Sequence, residues 1–245
     1  GCPQGIAKRG FYGSFLLEDT DLVLKIAGYL ANNLKCGVSC KIRLFPDLER
    51  TYDLVRNLEK TGIKVLTVHG RTKEQNKQTT GQANWNAIKK IKELISLPLI
   101  ANGGVQNFDD IDKLFELTGC DAIMSSEKLL EYPPLFSKQL YNLDDIALEY
   151  LDICKEVGYD LSFIRSHLFK FYYQACNMEP EYNQRIGLIN DLDEYIELAK
   201  EIKEFRKEVP NEDKFGWYMR YRKEEDKKQT EEIDTPIYDM SDFFN

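Results

Sequence analysis

Five short stretches carry residue types that can do chemistry. The first is Gly1-Cys2-Pro3-Gln4-Gly5. Pro lacks a backbone donor and Gly is unconstrained, so this segment reads as a tight loop that presents one thiol. A presented Cys is a candidate acid or nucleophile, against the alternative of an ordinary loop Cys. The second is Lys41 and Arg43, which alternate with Cys40 and Ile42 and so point to one side of a strand. Two cations on one inward face point to an anionic ligand, unless they simply reach solvent. The third is His69-Gly70-Arg71-Thr72, at the end of an apolar strand. A His there can hydrogen-bond a cofactor ring or act in acid-base work. The fourth, Asn102-Gly103-Gly104, joins a strand to a helix, where backbone amides hold phosphates. The fifth, Ser125-Ser126-Glu127, follows the last strand and occupies the place of a phosphate loop in barrels. On consecutive final strands, the last two point to a phosphorylated cofactor.

These stretches need a scaffold, and the hydrophobic pattern supplies one. Helical spacing predicts helices near 19–35, 47–61, 84–96 and 107–118. Apolar runs at Val38–Leu44, Ile63–Val68, Pro98–Ala101 and Asp121–Met124 predict strands. Leu22, Ile26 and Leu30 mark the apolar face of the first helix. After Val68 a polar loop is expected, running to Gln82. Such alternation means a parallel α/β sheet, and the candidate residues fall at the strands' C-terminal ends. A barrel of eight such units needs ~250 residues. The alternating part covers about half of that, so the first strands are expected to be missing from this chain. From 143 to 208 the pattern is helical throughout, which predicts a separate all-α domain. The expected divisions are 1–139, 140–208 and a charged, mostly disordered tail over 209–245.

The totals limit the function classes. The chain has 245 residues and a net charge of -8. No apolar run approaches the ~20 residues that span a bilayer, and no signal peptide is visible. Six Cys and two His lack metal-ligand spacing, so no metal is expected. Scattered Cys suit a reducing setting, cytoplasmic or nuclear. The acidic balance argues against general nucleic-acid affinity but leaves room for a local basic face.

The motifs Gly1–Gly10, Lys41-Ile42-Arg43, Val68–Thr72, Ala101-Asn102-Gly103 and Met124–Glu127 together resemble the tRNA-dihydrouridine synthases. Tyr150–Ile153 and Arg165–Lys170 match that family's helical domain. The match is most similar to the eukaryotic branch that reduces uridines 16 and 17 of the tRNA D-loop. The resemblance implies the C-terminal half of a (β/α)8 TIM barrel that binds FMN, then a helical tRNA-binding domain. It implies NADPH or NADH as reductant, tRNA as partner, and a monomer when full length. Cys2 is then the general acid that protonates C5 of uracil. Lys41 and His69 contact the flavin ring. Asn102, Gly103, Ser126 and Glu127 fall at the FMN phosphate. Arg43 and Arg71 meet the flipped-out uridine or its phosphate, and Arg165 and Lys170 contact tRNA. The family usually has Gly where this chain has Lys128. Two other readings stand beside this one. One is an FMN-dependent TIM-barrel oxidoreductase for a small molecule, which needs no helical docking domain. The other is a truncated relative that binds RNA or a partner without catalysis.

Overall fold

The computed structural model describes residues 1–76, 79–137 and 139–208. The charged tail set apart by the sequence reading lies outside the described residues. The chain divides into two compact units, one over Gly1–Met124 and a second starting at Ser125. That division falls before the change of pattern at 139, so the short helix after the last strand goes with the helical unit.

The first unit opens with helix α1 (Gly5–Arg9) and helix α2 (Thr20–Asn33). Three strand–helix steps and a fourth strand follow: β1 (Ser39–Leu44), α3 (Leu48–Lys60), β2 (Val65–Thr72), α4 (Trp85–Leu94), β3 (Leu99–Asn102), α5 (Phe108–Thr118) and β4 (Ala122–Met124). All pairings are parallel, in the order β1-β2-β3-β4. Local chemistry sets the helix ends. Asp19, Asp47, Asn84 and Asn107 each accept a first-turn amide as N-cap. Gly119 closes α5 in the left-handed conformation, at φ 63°.

Register separates the sheet's two faces. Ile42, Leu66, Val68, Leu99 and Ala101 are buried on one side, with Leu58, Ile88, Ile91 and Leu114 of the helices in the same core. On the other side Arg43, His69, Asn102 and Met124 form one rung across all four strands. Lys41 lies two residues before Arg43 and so shares its face.

One expectation needs correction. β2 runs on to Thr72, so His69, Gly70 and Arg71 are strand residues and the loop starts later. Pairing with β1 continues past them through a bulge, from Arg43↔His69 to Leu44↔Thr72. Leu22, Ile26 and Leu30 lie on a helix, as their spacing predicts; all three are exposed, and Ala27 is the buried residue of α2. Periodicity reports the apolar stripe, not what covers it.

The second unit contains α6 (Glu127–Glu131), α7 (Leu143–Val157), α8 (Leu161–Phe171), α9 (Tyr173–Met178), α10 (Pro180–Leu188) and α11 (Leu192–Phe205). α7 packs against α11, and α10 packs against α8 and α9. Leu151, Ile164, Leu168, Ile186, Tyr195 and Ile202 are buried in it. Ile153, Phe163 and Leu188 are exposed. Among the described residues no helix is long and apolar enough to cross a membrane.

The contrast between faces is testable by urea unfolding of this chain. Leu66, 0 % exposed, should cost ~2–5 kcal/mol when cut to Ala. Leu22→Ala, at 40 % exposure, should stay within about 0.5 kcal/mol.

Candidate active site

The thiol loop is held at two points. The Ser14 amide and hydroxyl both donate to the Cys2 carbonyl, at 3.0 and 2.9 Å. Ser14 is buried, so this is an internal clamp. Gly13 makes it possible: its φ is +63°, and a Cβ there would lie 2.6 Å from the Cys2 carbonyl oxygen. The second hold is Arg43, whose Nε donates to the Gly1 carbonyl at 3.1 Å. Its Nη1 donates to the Thr72 and Gln75 carbonyls at 2.7 and 3.0 Å. Arg43 thus ties the Cys2 loop and the segment after β2 to the end of β1. The sequence reading gave it to the substrate, but three backbone carbonyls engage two of its nitrogens, and it is buried. The structure makes it a positioning residue. Ser14 and Gly13 were missed, because nothing in the spacing shows that position 14 returns to position 2.

Around His69 the structure gathers cations. Lys41 Nζ donates to Asn102 Oδ1 at 2.8 Å, and Asn102 Nδ2 donates to the Met124 carbonyl at 2.9 Å. Lys41 keeps exposed surface, while this hydrogen bond is part-buried. Arg71 Nη1 lies 3.2 Å from His69 Nε2, and its Nε donates to the Gly81 carbonyl at 2.9 Å. A guanidinium only donates, so Nε2 of His69 is the acceptor and the ring is neutral with its proton on Nδ1. Electrostatics agree. Burial, then Arg43, Lys41 and Arg71, push His69 down to about 3. Burial, then Arg43, also lowers Lys41, and burial, then Arg71, lowers Arg43. Cations that are desolvated and repel each other suit a site that takes an anion.

The glycine turn completes this face. Gly103 and Gly104 have φ of +100° and +84°. A Cβ at Gly103 would sit 2.6 Å from His69 Cδ2, so only Gly lets the turn pass the imidazole. Trp85 Nε1 donates to the Gly103 carbonyl at 2.9 Å and pins it; this residue too was missed. Lys41, His69, Asn102 and Gly103 therefore come together as the spacing predicts, with Arg43 and Arg71 beside them.

A family model described as Dihydrouridine synthase (Dus) matches residues 1–234. The chain belongs to the dihydrouridine synthase family. It is similar to a Mus musculus protein named tRNA-dihydrouridine(16/17) synthase NAD(P)(+)-like, 36% identical over 203 residues, covering 83% of this chain and 43% of the relative. The Schizosaccharomyces pombe tRNA-dihydrouridine(16/17) synthase is 41% identical over 203 residues, with 76% of this chain and 50% of that protein covered. The Saccharomyces cerevisiae one is 39% identical over 183 residues, with 69% and 43% covered. The chain spans about half the length of these curated relatives.

The remaining candidates of this dihydrouridine synthase chain lie in the second unit. Ser126 is the N-cap of α6 and makes no side-chain capping bond; Glu127 opens that helix. Lys128 turns inward, 3.2 Å from the buried Glu131. Arg165 is a strut: Nε donates to Tyr195 Oη at 3.1 Å, and Nη2 to the Ile189 carbonyl at 2.9 Å and Asn190 Oδ1 at 3.1 Å. That holds α8 to the α10–α11 junction and occupies the guanidinium assigned to tRNA. Lys170 is half-buried near the end of α8. On the same helix, His167 Nδ1 lies 2.7 Å from Tyr150 Oη. Among the described residues no group of three or more His, Cys, Asp or Glu could hold a metal ion.

His69 sets a pH signature. Its folded value near 3 lies below the ordinary 6.5, so between the two the unfolded chain binds a proton that the folded chain refuses. The stabilisation is complete above pH 6.5 and is lost as pH falls toward 3. Wild type and His69→Gln should therefore differ in the slope of unfolding stability across that window. In an NMR titration the His69 ring should stay neutral at pH 5.

Proposed function

We propose that this chain is the C-terminal part of an FMN-dependent tRNA-dihydrouridine synthase that reduces the C5–C6 bond of D-loop uridines, 16 and 17 being the targets. The observation that carries it is the strand-end rung of Arg43, His69 and Asn102, with Lys41 bonded to Asn102 and three cations around a neutral imidazole. The relatives' names, with NAD(P)(+) and positions 16/17, support the reductant and the target.

These residues fit a flavin nucleotide. Lys41 and His69 would hold the ring, Lys41 opposing negative charge on its pyrimidine side. The His69 Nδ1 proton is the donor that its Arg71 contact leaves open. Asn102 and Gly103 are the first unit's candidates for the phosphate. By resemblance alone, Ser126 and Glu127 remain the second unit's candidates. When bound, reduced FMN supplies hydride to C6 of the uracil. Cys2 delivers the proton to C5 from its Sγ, as general-acid catalysis by a positioned side chain requires. The two clamps fix the backbone that carries that sulfur, which matters because small misplacements of a reacting group cost large factors in rate. The base must leave its stack to bring C5 and C6 to the site. Arg71 remains the first unit's candidate for meeting it. Arg165 and Lys170 remain the helical unit's candidates for tRNA.

Mass spectrometry of tRNA after incubation with NADPH tests this. The full-length protein should form dihydrouridine, and Cys2→Ala should lose about 10²–10⁴-fold in rate. Full activity in Cys2→Ala would remove the acid; no product from wild type would remove the synthase reading. The 245 residues alone should bind FMN weakly, since half the wall is supplied elsewhere. A stoichiometric complex with micromolar affinity in a fluorescence titration would contradict that.

A further inference from the structure

Helix α1 ends in a reversal that glycine normally makes. The Tyr12 amide donates to the Ala7 carbonyl at 3.1 Å, and the Phe11 amide to the Lys8 carbonyl at 3.4 Å. These are the two bonds of a Schellman C-cap, with Gly10 as C-cap. The position after the C-cap is the left-handed one, and here it is Phe11, at φ +53°. No other non-glycine residue among the described residues has a positive φ. A bulky side chain there is strained. Gly stands one place early, at φ -89°, where a Cβ would meet the Tyr12 ring at 2.7 Å.

Burial does not compensate the strain. Phe11 is 79 % exposed and Tyr12 44 %. Lys8 and Arg9, also exposed, immediately precede the turn. A hollow of about 940 Å³ beside it is walled by Lys8, Arg9, Phe11, Phe15 and Leu16. Glu18, Asp19 and Asp21 also line it. Glu18 is already paired with Arg50 at 2.9 Å and Lys73 at 2.7 Å, and Asp19 caps α2 through the Leu22 amide. The turn is continuous with the clamp that holds Cys2, since Ser14 lies just beyond it.

Strain held without burial, at a candidate active site, points to a surface kept for a ligand. Open aromatic planes beside two cations match single-stranded RNA, whose bases stack on rings and whose phosphates pair with cations. We propose that the 8–12 turn is an RNA platform, with Phe11 as the plane on which a base flanking the reacting uridine stacks. This rests on the synthase reading and names the surface by which its substrate is gripped.

Phe11→Gly separates the platform from a structural role, because glycine relieves the strain while removing the ring. In the full-length protein it should melt no lower than wild type. It should bind an unmodified tRNA transcript about tenfold more weakly, with the loss in KM more than in kcat. Phe11→Trp should keep the affinity, and its added fluorescence should be quenched by the transcript. Phe11→Gly binding like wild type would sink the platform while leaving the synthase reading intact. A clearly lower melting temperature would sink it too, since the ring would then be packed inside the whole protein. Wild type that binds no transcript overturns both.

Discussion

A guanidinium taken out of water must find acceptors, and the end of this sheet is arranged by where Arg43 finds them. Its partners are carbonyls of Gly1, Thr72 and Gln75, from segments far apart in the chain. A lysine could not do this, because a single ammonium lacks the planar fork that reaches several acceptors in fixed directions. From that one side chain follow the docking of the thiol loop and the course of the chain after β2. The bulge between Arg43 and Leu44 belongs to the same arrangement, since it brings Thr72 beside β1.

Net charge is a poor guide to this molecule's ligands. The total is -8, yet the strand ends are cationic. Much of the acid is spread over helices in exposed pairs, such as Lys155 with Asp193 and Arg185 with Glu201. Pairs of that kind contribute little to stability. The cations that matter are few and desolvated, and they work over short range in a less polar medium. An acidic protein can therefore present an anion site without a basic surface overall.

Sequence pattern made the elements legible, because caps and apolar runs are local. Asn107 and Gly119 mark α5 at both ends, and the four strands lie close to where their apolar runs predict. Lys41, His69, Asn102 and Gly103 were legible too, since alternation and strand ends put them on one face. The failures share a cause. Reading polarity as loop cut β2 short at Val68, although His69 and Arg71 continue the strand to Thr72. The acceptors that engage Arg43 and Arg165, backbone carbonyls and for Arg165 also two side-chain oxygens, are remote in the chain and have no signature in sequence. Ser14 and Trp85 were invisible for the same reason: each acts on a carbonyl that only the folded chain brings near. Leu22, Ile26 and Leu30 lie on the helix that their period predicts, but period gives a face and not its cover.

Strand order in the sheet follows chain order. No strand has to wait for a later one to be inserted between its neighbours. Each strand–helix step can dock on the previous one as it leaves the ribosome, so the sheet grows in a single direction with one advancing edge. Late insertion of a central strand, a slow event in many parallel sheets, has no place in this part of the chain's assembly.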